Sequence, residues 1–371
     1  MMSKKVASMV LTAMIICCSC EDKSSSIYGR DEIVEYGKYS VSSEEAKPRK
    51  NINESRNSIY EISNGNFKYN KHSSVKVPGT YTYMPKAKDV TNDNMRLDIY
   101  SCNKVKYRQG CETVVYIHGG GLMRGDKKNI QSKPSFFNRN GYCFVSVNYP
   151  IYGKPVHNMV AQQVDSIYKA SKWLNENMSN HYNQCSPDNM SIMGHSAGGY
   201  LVSLLLVSPD YSKVSRRIYR NWIINDTAWL DMESIWKRKL DKRLARSSEV
   251  RSTNNVHTIM KFDPIGSALG IESLPPTKSD IEKVRALSPI YNSGSMCTHN
   301  ITRDNNVLVL YQDSGNGRRE RIAKAFSNSL GECIADNVDI NKYSLTHKQM
   351  NKTIGEDNKL TSDILEFMRG K

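Results

Sequence analysis

The chain of 371 residues has no H-E-x-x-H pair, no paired-cysteine zinc spacing beyond its first twenty residues, no G-x-x-x-x-G-K-[ST] loop and no dinucleotide fingerprint. Those absences set aside zinc peptidases, P-loop nucleotide hydrolases and dinucleotide-dependent oxidoreductases, and no cofactor is expected. It also lacks any apolar run near the roughly 20 residues a membrane-spanning helix needs. No internal repeat is present. Aromatic residues make up 9% and hydrophobic residues 39%, a lean but globular balance in which polar stretches dilute an ordinary core. The length suits one large domain with appendages.

Lysine and arginine number 52 against 37 acidic residues, a formal net charge of +15. The basic residues are spread along the chain with many asparagines, without a recognition-helix or zinc-finger pattern. A diffuse basic surface is expected, with no nucleic-acid partner.

At the N-terminus Lys4 and Lys5 precede the apolar stretch Val6 to Ile16, which runs into Cys17-Cys18-Ser19-Cys20. This is the layout of an export signal over residues 1–19. Ser19 directly before Cys20 resembles a lipobox, so Cys20 is the expected lipid-attachment site, with Cys18 as a competing acceptor. An exported lipoprotein, periplasmic or at the cell surface, is the expectation. Residues 20–75 are rich in Ser, Asn, Lys and Glu with few periodic apolar positions, and read as a flexible tether. A catalytic domain over 76–371 follows. Export would place Cys102, Cys111, Cys143, Cys185, Cys297 and Cys333 where disulfides persist. Cys102 and Cys111 bracket a short polar loop between two strand-like runs and are the first pair to expect.

Beyond Val75, Arg96 to Tyr100 alternates as a strand, and the β-branched Thr113 to Ile117 and Tyr142 to Asn148 suit strands buried on both faces. Val160, Val164, Ile167, Ala170, Trp173 and Leu174 keep helical spacing. Met190 to Met193, Trp222 to Asn225, Val307 to Tyr311 and Val338 to Leu345 read as further strands. Helices are expected at Gly198 to Val207, Arg319 to Leu330 and Leu360 to Met368. The alternation predicts an α/β fold with a mainly parallel sheet flanked by helices. The charged, irregular stretch 231–286 is longer than a usual connection and reads as a cap-like insertion over the C-terminal edge of that sheet.

Gly194-His195-Ser196-Ala197-Gly198 lies between a strand and a helix. In a G-x-S-x-G turn the serine takes a strained conformation that exposes its hydroxyl, and small neighbours let the backbone bend. A serine hydroxyl is a weak nucleophile and needs a base, an acid to orient that base, and donors for an oxyanion. His118-Gly119-Gly120-Gly121 follows the strand ending at Ile117; with Ala197, Gly120 and Gly121 are the candidate oxyanion donors. Around such a turn the order along the chain is serine, acid, histidine. Of the histidines after Ser196, His257 falls in the polar insertion and His299 precedes a strand, whereas His347 follows the last strand and is the candidate base. Asp313, two residues beyond Val307 to Tyr311, is the candidate acid. Its competitors are Asp304, before that strand, and Asp336 or Asp339, in the connection to the last one.

The succession of HGGG, Asn148-Tyr149-Pro150, a helix bearing Asp165, GHSAGG, Ser288-Pro289, Asp313 and His347 resembles the esterase/lipase branch of the α/β-hydrolases. It is most similar to small carboxylesterases and to bacterial feruloyl or acetyl-xylan esterases, over roughly Thr80 to the C-terminus. Leu122 stands where many relatives have an aromatic residue, and Tyr311-Gln312-Asp313 departs from their Gly-x-x-Asp pattern. Asp165 matches a structural helix position in that branch. The resemblance implies hydrolysis of a carboxylic ester, on a small molecule or linked to a polysaccharide, through Ser196, His347 and Asp313. A formamidase of the same fold, or a non-catalytic surface protein that binds glycans, is the alternative.

Overall fold

A computed structural model describes residues 60–63, 66–69, 79–85, 95–102, 110–182, 184–245, 252–294, 305–334 and 337–370. Cys20 and the residues assigned to the export signal lie outside these. The chain divides into two units, residues 1–71 and 72–371. In the first, β1 (Tyr60–Ser63) and β2 (Asn66–Tyr69) pair antiparallel with Tyr60 opposite Tyr69. The stretch expected to be tether thus contains a two-stranded ribbon.

In the second unit, β3 (Gly79–Thr82), β4 (Arg96–Tyr100), β5 (Glu112–Ile117), β6 (Tyr142–Val147), β7 (Met190–His195), β8 (Tyr219–Asn225), β9 (Asn306–Gln312) and β10 (Val338–Tyr343) form one sheet. The strand order is β10-β9-β8-β7-β5-β6-β4-β3. β4 pairs antiparallel with both β3 and β6, and the pairings from β6 to β10 are parallel. The helices are α1 (Lys133–Arg139), α2 (Met159–His181), α3 (Ala197–Val207), α4 (Pro209–Ile218), α5 (Met232–Leu244), α6 (Val256–Phe262), α7 (Pro264–Ala268), α8 (Lys278–Ala286), α9 (Pro289–Asn292), α10 (Arg318–Ile334), α11 (Gln349–Lys352) and α12 (Lys359–Met368).

Parallel strands joined by crossover helices must be covered on both faces, which is why their sequences run apolar without a break. The alternation of side chains sends Val115, Ile117, Ile192, Trp222, Ile224, Val307 and Val309 to one face, where they pack in a core with α2, α3, α4 and α10. Val114, Tyr116, Phe144, Met193, Ile223, Leu308 and Leu310 go to the other, under α1 and α12. All eleven residues of α3 are buried, as its apolar run demands. Asp165 pairs with Lys169 one turn on, at 2.8 Å on the surface of α2, away from the chemistry.

The stretch expected to be irregular between β8 and β9 is instead helical, α5 to α9. Tyr200, in the first turn of α3, donates to the Leu287 carbonyl at 2.7 Å, and Asn158 N–H, at the start of α2, donates to Ser267 at 2.9 Å. Those turns stand at the C-terminal edge of the sheet, so the insertion is anchored there. Trp236 is 1% exposed, donates Nε1–H to Asp263 and joins the same apolar core that α2, α3 and α10 pack on the sheet.

Two disulfides tie the first half of the sheet, Cys102 to Cys111 and Cys143 to Cys185. The first is the pair expected from spacing; the second joins β6 to the approach to β7 across 42 residues.

Candidate active site

Parallel α/β sheets open their sites at the C-terminal strand edge, where loops and helix N-termini converge. Here β7 ends at His195 and α3 begins at Ala197, leaving Ser196 alone in the turn with φ 56° and ψ −119°. A non-glycine residue holds such a conformation only when its surroundings dictate it. The flanking glycines do so by permitting close approach. A Cβ on Gly194 would lie 2.3 Å from the Gly198 carbonyl oxygen, and one on Gly198 would lie 2.2 Å from that of Ile117.

His347, in the loop between β10 and α11, reaches this turn. Ser196 Oγ and His347 Nε2 are 2.9 Å apart, and His347 Nδ1 and Asp226 Oδ2 are 2.6 Å apart. A carboxylate only accepts, so Nδ1–H donates to Asp226 and Nε2 is left to accept the serine proton. Asp226 follows β8 directly and is fully buried. It also accepts from the Gln312 N–H at 3.1 Å, and Arg319 Nη1 lies 3.4 Å from its Oδ1. Burial pushes this carboxyl up, but the His347 hydrogen bond, the Arg319 charge and the Gln312 N–H together hold it below the usual range.

Asp313 is therefore not the partner of His347. Its side chain is 43% exposed and lies 3.3 Å from Lys342 Nζ, while its Oδ1 accepts from Gly315 N–H in a local turn. Asp226 N–H bonds the Leu310 carbonyl at 2.7 Å, which places the carboxylate at the end of β8, next to β7, the strand that leads into Ser196. Asp313, after β9, is one strand farther out and turns to β10. Asp226 had a signal in the sequence, an aspartate immediately after the strand Trp222 to Asn225 and before the insertion. Of the rejected histidines, His257 is exposed and His299 lies outside the described residues.

The His118 to Gly125 loop faces this turn. The structure explains the neighbouring Asn148-Tyr149-Pro150 motif as its support. Tyr149 donates to the His118 carbonyl at 2.9 Å and its ring stacks on His118 at 4.4 Å. Asn148 Oδ1 accepts from Lys127 N–H at 2.6 Å, and Gln163 Nε2 bridges the carbonyls of Leu122 and Pro150, each at 2.7 Å. Gly120 has φ 133°, and a Cβ there would lie 1.9 Å from the Arg124 carbonyl oxygen. The Gly120 carbonyl accepts from Met123 and Arg124, while no hydrogen bond among the described residues engages the Gly120 or Gly121 N–H. Ala197 N–H belongs to the first turn of α3, whose N–H groups are oriented toward the Ser196 end of the helix.

The loop bearing His347 is pinned by residues that sequence reasoning did not single out as partners. His195 Nε2–H donates to the His347 carbonyl at 2.9 Å, Asn225 Nδ2 to Met350 at 2.7 Å, Tyr116 Oη to Asn351 Oδ1 at 2.9 Å and Lys133 Nζ to the Asn351 carbonyl at 2.8 Å. Burial, reinforced by the nearby His347, pushes His195 down to about 3, so it stays a neutral donor. Burial pushes Lys133 down to about 7, against the pull of Glu356. These bonds come from four distant segments, so only the folded chain brings them together.

His195, Asp226 and His347 are the group among the described residues whose ligand atoms converge, within 4.8 Å of one another. Their polar atoms bond within the group, to Ser196 and to the His347 carbonyl.

A family model described as BD-FAE matches residues 97–260. Among solved structures, the butyrate-bound esterase Est2 of the planctomycete Thermogutta terrifontis is similar at 16% identity with a TM-score of 0.53, covering 80% of this chain and 94% of that one. Its apo form gives 15%, 0.51, 79% and 92%. A truncated carbohydrate esterase from gut microbiota is similar at 14% identity with a TM-score of 0.52, covering 80% of this chain and 98% of that one. No curated protein matches. The chain has the α/β-hydrolase fold, and through residues 97–260 it is similar to BD-FAE, an esterase-type family of that fold.

Proposed function

We propose that the protein is a serine carboxylic-ester hydrolase in which Ser196, His347 and Asp226 act as a catalytic triad. The observation that carries this is the hydrogen-bonded line from Ser196 Oγ through His347 to buried Asp226, at 2.9 and 2.6 Å, set opposite the glycine loop. The likeness to BD-FAE and to esterase structures supports the same reading.

His347 Nε2 takes the Ser196 proton as Oγ attacks the ester carbonyl, and the carbonyl π electrons move to its oxygen. The N–H groups of Gly120, Gly121 and Ala197 stabilise that oxyanion. Collapse breaks the bond to the alcohol, which leaves with the proton from His347. Water, deprotonated by His347, then attacks the acyl-enzyme, and the same donors hold the second intermediate until the acid departs and Ser196 recovers its proton. Asp226 keeps Nδ1 protonated and stabilises the imidazolium. An ester on a carbohydrate fits the similarity to the carbohydrate esterase from gut microbiota.

The test is a fluorophosphonate probe with the adduct located by mass spectrometry, alongside turnover of 4-nitrophenyl acetate and an aryl formamide. Labelling at Ser196, loss of label in His347→Ala and loss of turnover in Ser196→Ala are expected; ester turnover unchanged in Ser196→Ala would overturn the reading. A faster rate on the formamide would move it to an amide hydrolase. Export with lipidation at Cys20 belongs to the same proposal. Two disulfides suit an oxidising compartment, and palmitate labelling that persists in Cys20→Ala and Cys18→Ala alike would reject it.

A further inference from the structure

Two helices concentrate positive charge beside the triad. Helix α5 contributes Arg238, Lys239 and Arg243, and the start of α10 contributes Arg318, Arg319 and Arg321. Arg319 is the innermost. It is 17% exposed, donates to the Asp226 carbonyl at 2.8 Å and lies 3.4 Å from the Asp226 carboxylate. Arg243 donates to the Phe262 carbonyl. Arg238, Lys239 and Arg321 are exposed and Arg318 is half-buried. These groups feel one another: Arg318 is pushed down by burial and then by Arg238, Arg319 and Arg321, and Lys239 by burial and then by Arg243, Arg238 and Arg318, with Asp263 acting the other way.

Among the described residues Asp226 faces Arg319 and Asp241 stands on α5 itself, while other acids nearby are paired elsewhere. Glu233 pairs with Lys237 and Arg285, Glu320 with Lys324, and Asp313 with Lys342. Asp263 accepts from Trp236 and from Gly266 N–H. Among the described residues of α5 and the first turn of α10 basic side chains outnumber acidic ones, and the excess positive charge calls for a counter-charge at the sheet edge where Ser196 and His347 stand. An anion on the substrate supplies that counter-charge, and planar guanidinium groups suit a carboxylate in particular.

We propose that this cluster binds a carboxylate on the alcohol part of the ester, so that the preferred substrates are acyl esters of acidic sugars, within uronate-bearing oligosaccharides, rather than of neutral glycans. This rests on the esterase reading above. It would be tested with acetylated uronate oligosaccharides and acetylated neutral xylo-oligosaccharides of matched acetyl content, with 4-nitrophenyl acetate as reference. At low salt kcat/KM on the acidic substrate should exceed that on the neutral one about tenfold, and the advantage should fade as salt shortens the screening length. In Arg238→Ala/Arg318→Ala, KM for the acidic substrate should rise about tenfold, with kcat and nitrophenyl acetate turnover unchanged. Equal efficiency on both substrates, or a preference that survives the double substitution, overturns the proposal.

Calorimetry on Ser196→Ala with the corresponding deacetylated oligosaccharides reads the cluster without turnover. Tighter, salt-sensitive binding of the acidic one, lost in the double variant, supports the carboxylate site even if nitrophenyl acetate proves inert and the esterase reading fails. Equal binding of the two overturns it while leaving an active esterase intact.

Discussion

Asp226→Asn tests the assignment of the acid against the alternative at Asp313. In the folded chain the Asp226 carboxylate is fully buried and its Oδ2 lies 2.6 Å from His347 Nδ1. When His347 takes the serine proton, an ion pair forms across that contact. With charge centres about 4 Å apart and an effective dielectric of about 20, the carboxylate stabilises the imidazolium by ~4 kcal/mol, roughly 10³-fold in rate. An asparagine amide also favours the tautomer with Nε2 protonated, which disables the base, so the combined loss should approach about 10⁴-fold. Asp313→Asn removes an exposed pair with Lys342 and should leave kcat within about twofold of the parent, as surface pairs contribute little. The assay is initial-rate hydrolysis of 4-nitrophenyl acetate by the two variants, with far-ultraviolet circular dichroism to establish that both are folded. The reasoning is refuted if folded Asp226→Asn keeps more than a tenth of parental kcat, and doubly so if Asp313→Asn loses more.

Three further outcomes follow from geometry. Gly120→Ala sets a methyl 1.9 Å from the Arg124 carbonyl oxygen at φ 133° and should cost at least the ~3 kcal/mol of a lost oxyanion donor, read as a kcat fall above 10²-fold; Gly121→Ala, at φ 64° with nothing within 4 Å, should cost only about 1–2 kcal/mol of stability. Acidification should destabilise the fold, because burial pushes His118 down to about 4 and His195 to about 3 from an ordinary 6.5. The unfolded chain then takes up protons first, so their stabilising contribution is full above about pH 6.5, falls by ~2 kcal/mol per histidine at pH 5, and levels off only below the folded values. Denaturant midpoints that match at pH 7.5 and pH 5 would contradict this. Asp226 stays ionised through that window and adds loss only below its ordinary 3.8. Removing Cys143–Cys185, which closes 42 residues, should cost about 4 kcal/mol, and Cys102–Cys111, which closes 9, about 3 kcal/mol; a reversed order in urea titrations of the two double-serine variants would show that native packing outweighs loop entropy.

The sequence by itself determined what depends on neighbours along the chain. The β-branched run before HGGG, the small residues around Ser196 and the helical spacing after Met159 each carry their conformation locally, so strands β4 to β10, the turn at Ser196, the glycine loop after Ile117 and the alternating α/β order were legible, while β1 to β3 were not. His347 was legible too, because few histidines follow the serine and just one trails the last strand. The short helices α1 and α4 and the helical insertion were not, since their apolar positions are few and declare themselves only against a partner surface. Choice of the acid belonged to tertiary structure. Asp226 and Asp313 both follow a strand, and an aspartate after a strand looks the same in either place. Sheet order puts β8 beside β7 and β9 one step beyond, and the residues 347–351 return over the end of β8, held by Asn225, Tyr116 and Lys133. Hydrogen bonds reach about 3 Å, so which carboxylate meets the imidazole was decided by a pairing between segments more than a hundred residues apart, which no local pattern encodes.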